Sequence, residues 1–348
     1  MSISNKLDSN IKRFWWNPKK DKGSYLAWKS WDSLCQPMEA GGLGFKKSKT
    51  FNRAMLAKLA WMVASKRDSP CIRALYSKYK VKEDWLRQEP RKNASSLWKA
   101  IKNLKGLIRK GACFRVGNGK SIDVWKDPWV PWIEGFIPTS RDTNSINSPL
   151  LVANLIDSAN MCWKIEVVAV LFNLTFAKAI SRIILPTIPQ QDQLIWTPDP
   201  SGLFSVKSMF RLSSIPIDPQ PNPTWQKLWK LKLHERLKIF VWRIGSNTLP
   251  TRLNVAKRTG FRDTTCPLCG NKEESYAHLF LQCTMVKPLW FGLSWGILPD
   301  RILAESCHDF LNLVIDPPIC PRHIESPKLL KAQVSIQIAL ILECIWKI

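Results

Sequence analysis

The pattern C-x2-C-x8-H-x4-C restricts how this chain can fold more than any other feature of the sequence. Its members are Cys266, Cys269, His278 and Cys283, and Gly270 follows the first pair directly. Three thiolates and one imidazole are the ligand set of a closed, tetrahedral structural zinc site. The glycine tolerates the left-handed turn that such a pair requires. The pattern therefore predicts one structural Zn²⁺ that orders a small fold and takes no part in catalysis.

Two other interpretations of the pattern stay open at this point. The cysteines could be ordinary buried residues that lie near a surface histidine. The first pair could also be a redox-active C-x-x-C motif. That motif requires a strand–helix context like that of thioredoxin, and it leaves His278 and Cys283 unexplained.

A second set of ligands farther along the chain is a weaker candidate. Adjacent Cys-His ligands are awkward geometrically, and the segment around them is rich in proline. The set consists of Cys307, His308, Cys320 and His323. The other cysteines are expected to be small buried hydrophobic residues. They are Cys35, Cys71, Cys113, Cys162 and Cys344.

Length and composition point to a protein with real hydrophobic cores. The chain has 348 residues, of which 45% are hydrophobic, enough for two or three domains. Ten cysteines without a secretion signal favour a reducing compartment. The longest apolar run, residues 334–345, contains Gln337 and Glu343 and is too short to span a bilayer. We therefore expect a soluble intracellular protein, cytosolic or nuclear, without a membrane partner or a small-molecule substrate.

Positive charge is concentrated in two blocks of the sequence. The net charge is +25; residues 1–130 hold 29 Lys and Arg against 10 Asp and Glu, and residues 201–262 hold 12 against 2. Such blocks favour binding to a polyphosphate partner, above all nucleic acid. A solvated basic surface or binding to acidic lipid is the alternative. Because phosphate contacts carry little sequence information, the predicted binding to RNA or DNA is largely sequence-independent.

The hydrophobic periodicity predicts a mainly α-helical protein with two small β-hairpins. Residues 51–64, 95–107, 235–246 and 251–258 have the spacing of helices. Residues 112–125 predict a hairpin around the turn Gly117-Asn118-Gly119, and residues 192–206 predict a second one. Gly119-Lys120-Ser121 is similar to the end of a phosphate-binding loop, but Phe114 stands where the first glycine of that loop belongs.

The order of these elements predicts four segments along the chain. Residues 1–138 form a basic helical connection region with a hairpin, and residues 139–202 form a helical linker that ends in the second hairpin. Residues 203–295 contain the zinc module, and residues 296–348 form a linker followed by an apolar helix over 331–348. The apolar face of that last helix is expected to lack a cover, which predicts self-association through it.

The basic residues next to the zinc pattern are the predicted contacts to phosphate. In this prediction the ordered zinc module holds the helices at 235–246 and 251–258, whose cations then face a nucleic-acid backbone. The candidates are Arg236, Lys238, Arg243, Arg252, Lys257, Arg258 and Arg262.

Several segments, in the same order along the chain, resemble the C-terminal half of plant LINE-type, non-LTR retrotransposon reverse transcriptases. They are Arg13–Trp16, Trp28–Cys35, Gly41–Phe45, Arg115–Trp129, Leu194–Leu212 and Trp229–Cys283. Residues 203–290 resemble that family's reverse transcriptase zinc-binding domain. The resemblance implies the same four metal ligands and a matching tryptophan at Trp290. It also implies a polymerase domain before this region and a ribonuclease H domain after it in the full family architecture.

The sequence departs from that family in ways that bear on activity. His234-Glu235 stands where the family commonly has prolines. The paired aspartates that hold two Mg²⁺ ions in a polymerase are missing, since no Asp-Asp dipeptide occurs. We therefore expect a truncated, non-catalytic fragment. Two alternatives remain: a non-functional or protein-interaction remnant, and a part of an RNA-directed DNA polymerase that is active only with the missing domains.

Overall fold

The computed structural model describes residues 2–19, 23–81, 85–86, 95–141, 149–213, 222–292, 298–318 and 327–348. Its contacts divide the chain into two compact units. Unit 1 consists of residues 1–46 and 216–348, and unit 2 consists of residues 47–215. The described residues are mainly helical and contain two small two-stranded sheets, which confirms the predicted fold class. The division into four segments along the chain stays a prediction.

Unit 1 contains the predicted zinc module and is helical in its described part. Its short 3-10 helices are Met38–Ala40 and Pro299–Arg301, and its α-helices are α1 (Ile3–Trp16), α2 (Trp31–Cys35), α10 (Pro223–Lys230), α11 (Glu235–Gly245), α12 (Arg252–Thr259), α13 (Lys287–Phe291), α14 (Cys307–Ile315) and α15 (Pro327–Lys347).

Helices α11 and α12 lie where the sequence predicts them. In α11, Leu237, Phe240, Val241 and Ile244 are buried, because their helical spacing puts them on one side of the helix. The side chain of Thr251 accepts a hydrogen bond from the third residue of α12 and caps it. Gly260 ends α12 with a left-handed φ of +73°.

The last helix, α15, packs into the core of unit 1. Its residues Val334, Ile338, Leu342 and Ile345 are at most 2% exposed, and the helix contacts α11 and α14. The apolar face that was expected to lack a cover is therefore covered within unit 1. By length and composition alone, Leu329–Lys347 could cross a membrane, but half of this stretch is buried in the protein, as in a core helix.

Unit 2 holds both sheets and the other helices. Its α-helices are α3 (Ser48–Ala64), α4 (Pro70–Tyr79), α5 (Ser96–Lys102), α6 (Lys105–Arg109), α7 (Ile165–Leu171), α8 (Leu174–Ser181) and α9 (Val206–Ser213). Its strands are β1 (Ala112–Arg115), β2 (Ile156–Asp157), β3 (Cys162–Trp163) and β4 (Gln193–Trp196). Its short 3-10 helices are Glu134–Phe136 and Val152–Leu155. Two hydrophobic clusters form its cores, one between α3 and α9 and one around Trp129.

The first predicted hairpin, at 112–125, is wrong in its pairing. Strand β1 pairs antiparallel with β4, with Ala112 opposite Trp196. The predicted second arm bonds elsewhere: the N–H of Val124 donates to Leu150 at 2.8 Å, and the N–H of Val152 donates to Ile122 at 3.0 Å. The Gly-Asn-Gly turn does not close a hairpin, because its N–H groups are taken by a distant carboxylate, that of Asp192.

The second predicted hairpin, at 192–206, is also wrong in its pairing. Its first arm is β4, whose partner is β1. The turn at 198–202 does form, since the N–H of Trp196 donates to the carbonyl of Gly202 at 2.9 Å. Its second arm cannot form a strand, because Ser205 caps α9: its hydroxyl accepts the N–H of Ser208 at 3.1 Å. The true local hairpin is β2–β3, inside a stretch that the sequence predicts as helical.

Candidate metal centre

The structure brings the four predicted ligand residues together. One ligand atom from each of Cys266, Cys269, His278 and Cys283 lies within 4.8 Å of the others. Within the described ranges, this is the one group of three or more such side chains close enough to hold a metal ion. A tetrahedral zinc with bonds of about 2.0–2.3 Å places its ligand atoms roughly 4 Å apart. The arrangement therefore fits the closed zinc site that the sequence predicts.

A tight turn positions the first two ligands. The N–H of Cys266 donates to the carbonyl of Lys272 at 2.7 Å, and the N–H of Gly270 donates back to the carbonyl of Cys266 at 2.9 Å. Gly270 has a φ of +69°, the left-handed conformation predicted for it. The backbone of this turn thus places both thiols on the same side.

A π-helical turn, His278–Gln282, positions the other two ligands. The N–H of Cys283 donates to the carbonyl of His278 at 2.7 Å, which brings the last thiol back beside the imidazole. Nε2 of His278 lies 3.2 Å from Sγ of Cys269, so this nitrogen faces the thiols. π-Helical turns are rare and often occur at functional sites.

The electrostatics of the four side chains also fit a divalent cation. Burial lowers the pKa of His278, so the imidazole is neutral, as a metal ligand must be. Burial raises the pKa of the Cys283 thiol to about 11. The backbone N–H of Asn271 lowers the pKa of Cys269. A buried thiol such as Cys283 becomes a thiolate when a cation compensates its charge, which is what a bound zinc supplies.

The loop between the second and third ligands holds the start of α12. The carboxylate of Glu274 accepts the N–H of Arg252 at 2.6 Å. The hydroxyl of Tyr276 accepts the N–H of Leu249 at 3.1 Å and the side-chain amide of Asn254 at 3.1 Å. An ordered metal centre therefore fixes α12 through side chains that belong to the ligand loop.

Comparison with known proteins shows which family the zinc-binding region resembles. Residues 204–290 match the family described as zinc-binding in reverse transcriptase. The chain is also 30% identical over 129 residues to the "Uncharacterized mitochondrial protein" of Arabidopsis thaliana, an alignment that covers 37% of this chain and 83% of that protein. The chain belongs to the same family as that protein. Its zinc-binding domain makes it a region related to retrotransposon reverse transcriptases.

A second relative is longer than this chain. The "Putative ribonuclease H protein" of Arabidopsis thaliana is 28% identical over 314 residues, which is 86% of this chain and 48% of that protein. The chain therefore spans about half the length of this relative. No solved structure matches the chain significantly.

Three of the seven cations predicted to contact phosphate form ion pairs, and all three lie within the zinc-binding domain. Their carboxylate partners also belong to unit 1, so part of the local positive charge is neutralised within the protein. The pairs are Arg236–Glu343, Lys238–Glu235 and Arg252–Asp263.

Two further predicted cations lie against tryptophan rings. Arg258 donates to the carbonyl oxygens of Ala27 and Trp28, at 3.1 and 2.8 Å, and its guanidinium lies 5.0 Å from the Trp28 ring. Arg243 is half-buried, with its guanidinium carbon 5.7 Å from the Trp15 ring. Both residues link α11 or α12 to the first segment of the chain.

Lys257 and Arg262 complete the predicted set. Both are exposed, and neither makes a hydrogen bond or ion pair with another residue that the structure describes. Lys257 lies at the end of α12, and Arg262 lies in the segment that leads to Cys266. Of the seven predicted contacts, these two have the side chains most available to an external phosphate.

The other cysteines differ from their prediction. Cys113 is buried, as expected, and Cys35 is half-buried. Cys71, Cys162 and Cys344 are exposed, so the prediction that they are buried is wrong for these three. All nine described cysteines have free thiols.

The rival metal set is only partly covered by the structure. Cys307 and His308 occupy the first turn of α14. Cys320 and His323 lie outside the described residues, so this set stays untested.

Two residues that connect the metal centre to α12 could not be predicted from the sequence. Glu274 and Tyr276 lie between ligands, but their partners are 22 and 27 residues away. Lys29, which lies 5.9 Å from the Trp242 ring, was missed in the same way. Long-range contacts of this kind have no local sequence pattern.

Proposed function

We propose that this chain is a non-catalytic, nucleic-acid-binding part of a plant LINE-type reverse transcriptase, held in shape by one structural Zn²⁺. The observation that carries the proposal is the convergence of three thiols and one imidazole within 4.8 Å. No carboxylate belongs to this group, and a site closed by four protein ligands leaves no open position for a reacting water. Bound zinc would stabilise the thiolates and link the two ends of the ligand loop.

Zinc content tests the first part of the proposal. We expect about one Zn²⁺ per purified chain, lost in Cys269→Ser, because three ligands hold a structural zinc far more weakly than four. Cys71→Ser is the matched control, since Cys71 is exposed and far from the ligand set in sequence. Elemental analysis after dialysis provides the measurement. Equal zinc in wild type and Cys269→Ser would disprove the assignment.

The charge of the chain supports the second part of the proposal. The net charge is +25, and Lys257 and Arg262 lie in the zinc-binding domain without an ion-pair partner among the described residues. Contacts between such cations and phosphates release counterions, so affinity falls steeply as salt rises. Binding of labelled single-stranded RNA and DNA should show this dependence. Weak binding that salt does not change would contradict the proposal.

A double variant makes the test specific to the zinc-binding domain. We expect Lys257→Gln with Arg262→Gln to lower the slope of log affinity against log salt by about two. The control is Arg301→Gln, an exposed cation of the same unit on a different surface segment. A double variant with the slope of the control would assign the binding to other cations.

The isolated chain is expected to lack polymerase and ribonuclease H activity. Polymerase and ribonuclease H chemistry uses clustered carboxylates around two metal ions, and the described residues contain no such cluster. We therefore expect neither activity from the isolated chain in Mg²⁺. Extension of a primed template, or cleavage of an RNA–DNA hybrid, would instead favour the alternative in which the chain contributes to an enzyme.

The proposed compartment is the cytosol or the nucleus. Three thiolate ligands require reducing conditions, which both compartments provide. Self-association through α15 is not needed to bury its apolar face, because Val334, Ile338 and Leu342 are already in the core of unit 1. Cell fractionation of the tagged chain tests the location.

A further inference from the structure

Two half-buried cations of unit 1 lie against a pair of tryptophans. The guanidinium carbon of Arg243 is 5.7 Å from the ring of Trp15, and Nζ of Lys29 is 5.9 Å from the ring of Trp242. The two rings are 6.4 Å apart and meet edge to face. These four residues, the cation–tryptophan cluster, come from α1, α11 and the loop before α2.

Neither cation of this cluster has a negative partner among the described residues. Arg243 and Lys29 form no ion pair there, and Nε of Arg243 is buried without a hydrogen-bond acceptor. Burial lowers the pKa of both groups, which reflects the cost of removing their charge from water. Cation–π contacts offset only about 0.5–2 kcal/mol of such a cost. Two desolvated cations without an anion are therefore an unusual arrangement.

The neighbouring tryptophans also present donors without acceptors. Nε1 of Trp15, Trp16 and Trp31 is buried and has no hydrogen-bond partner. Ring contacts connect these residues: Trp15 lies 6.3 Å from Trp16 and 5.4 Å from Phe45, and Phe45 stacks on Trp31 at 5.5 Å. Buried donors normally find acceptors. These buried donors mark the region as short of acceptors, and a ligand with negative charge and acceptor oxygens would satisfy the two partly exposed cations.

We propose that the cation–tryptophan cluster is a phosphate site for the backbone of single-stranded nucleic acid. The phosphodiester supplies the negative charge that the partly exposed side chains of Arg243 and Lys29 lack. Trp15, Trp16 and Trp31 are only partly buried, so their rings also offer faces on which bases can stack. The inference rests on the proposed function and assigns part of the binding to residues other than Lys257 and Arg262.

Charge-removing variants test the site directly. We expect Arg243→Gln and Lys29→Gln each to weaken binding of labelled 20-nucleotide dT and U oligomers by about tenfold and to lower the salt slope by about one. Arg301→Gln, outside the cluster, should change neither value. Unchanged zinc content and circular dichroism show that a variant is folded.

The outcomes separate this inference from the proposed function. Wild-type binding that depends on salt, with both folded variants at the wild-type affinity and slope, overturns the phosphate site and leaves the proposed function standing. Wild-type binding that salt does not affect overturns both. Loss of affinity and slope in both variants, but not in the control, supports the site.

A footprint on the wild-type protein covers the case in which a variant fails to fold. Acetylation of lysines, read by mass spectrometry, should decrease several-fold at Lys29 when the oligomer is added. Lys347, on α15, is the control lysine and should keep its labelling. A methylphosphonate oligomer has the same bases without backbone charge and should not protect Lys29. Equal labelling of Lys29 with and without the charged oligomer overturns the inference.

Discussion

Glu274 connects the metal centre to α12 through one hydrogen bond. Its carboxylate accepts the N–H of Arg252, the first residue of α12, at 2.6 Å. That N–H has no partner inside the helix, and a negative charge there also interacts favourably with the helix dipole. We expect Glu274→Ala to lower the free energy of unfolding by about 1–2 kcal/mol. Urea denaturation of the zinc-loaded chain measures this loss.

The neighbouring glutamate provides a matched control for this variant. Glu273 is exposed, and its contact is the hydroxyl of Thr264 at 3.0 Å. Glu273→Ala should therefore stay close to wild-type stability. Glu274→Gln keeps an acceptor oxygen and should lie between wild type and Glu274→Ala. If the two alanine variants unfold at the same urea concentration, the carboxylate does not cap α12.

The same residues show what the sequence can predict at this scale. The four ligands were predictable, because their chemistry and spacing lie within 18 residues and the turn after Cys269 needs a glycine. Glu274 was not, because its partner is chosen by the packing of α12 against the ligand loop. Exposure was also poorly predicted for Cys71 and Cys162, whose small side chains carry no signal for burial.

At the scale of elements, Asp192 anchors a loop that the sequence presents as a hairpin turn. Its carboxylate accepts the N–H groups of Gly117, Gly119 and Ser121 and the hydroxyl of Ser121, at 2.8 to 3.0 Å. Gly117 and Gly119 are buried. If the carboxylate of Asp192 is removed, their N–H groups lose an acceptor that water replaces poorly. We expect Asp192→Ala to lower the free energy of unfolding of unit 2 by about 3 kcal/mol. Urea denaturation and amide exchange in residues 116–122 measure the effect.

Asp157→Ala is the control for this variant. Asp157 is a partly exposed aspartate at the end of β2 in the same unit, and its carboxylate accepts hydrogen bonds from the nearby residues Ala159 and Asn160. Asp157→Ala should lower the free energy of unfolding by less than Asp192→Ala does, and amide exchange in residues 116–122 should not change. Slow exchange of Gly117 and Gly119 in Asp192→Ala would contradict the anchoring role.

These hydrogen bonds also explain why helices were predicted better than strands. The periodicity of residues 235–246 lies within one element, so it predicts α11 to within one residue. A strand needs a partner, and the turn residues around Gly117 favour pairing between the two arms of residues 112–125, which does not occur. The pairing of β1 with β4 joins residues about 80 positions apart, for which no local pattern exists. The contacts of Asp192 and of strand β4 therefore determine the structure here, and the local turn pattern does not.

For the whole molecule, the sequence predicts the amount of positive charge but not its availability. The basic block at residues 201–262 holds 12 cations. The structure pairs Arg236 and Arg252 with carboxylates and buries part of Arg243 against Trp15. Net charge is a sum over the chain, whereas binding depends on which cations lack partners. This is why Lys29, inconspicuous in the sequence, belongs to the proposed phosphate site.

The two units should respond differently when the metal is removed. Cys266, Leu279, Phe280 and Cys283 belong to the core of unit 1, whereas unit 2 has two hydrophobic cores of its own. Structural zinc contributes about 10–16 kcal/mol in zinc-finger peptides, comparable to the full stability of a domain. A chelator should therefore speed amide exchange over residues 249–290 and leave residues 112–124 and 193–196 unchanged.

Cys269→Ser without chelator should reproduce the exchange pattern of the chelated wild type, because both lack the ion for different reasons. Cys71→Ser with and without chelator should behave as wild type does, which separates metal loss from a general effect of cysteine substitution. Exchange that accelerates equally in both units would show that the ion holds the whole chain together. Exchange that accelerates in neither would show that the hydrophobic core around Phe280 keeps the ligand loop folded without metal. The expected result lies between these outcomes, because Glu274 and Tyr276 transmit the order of the ligand loop to α12, which belongs to unit 1.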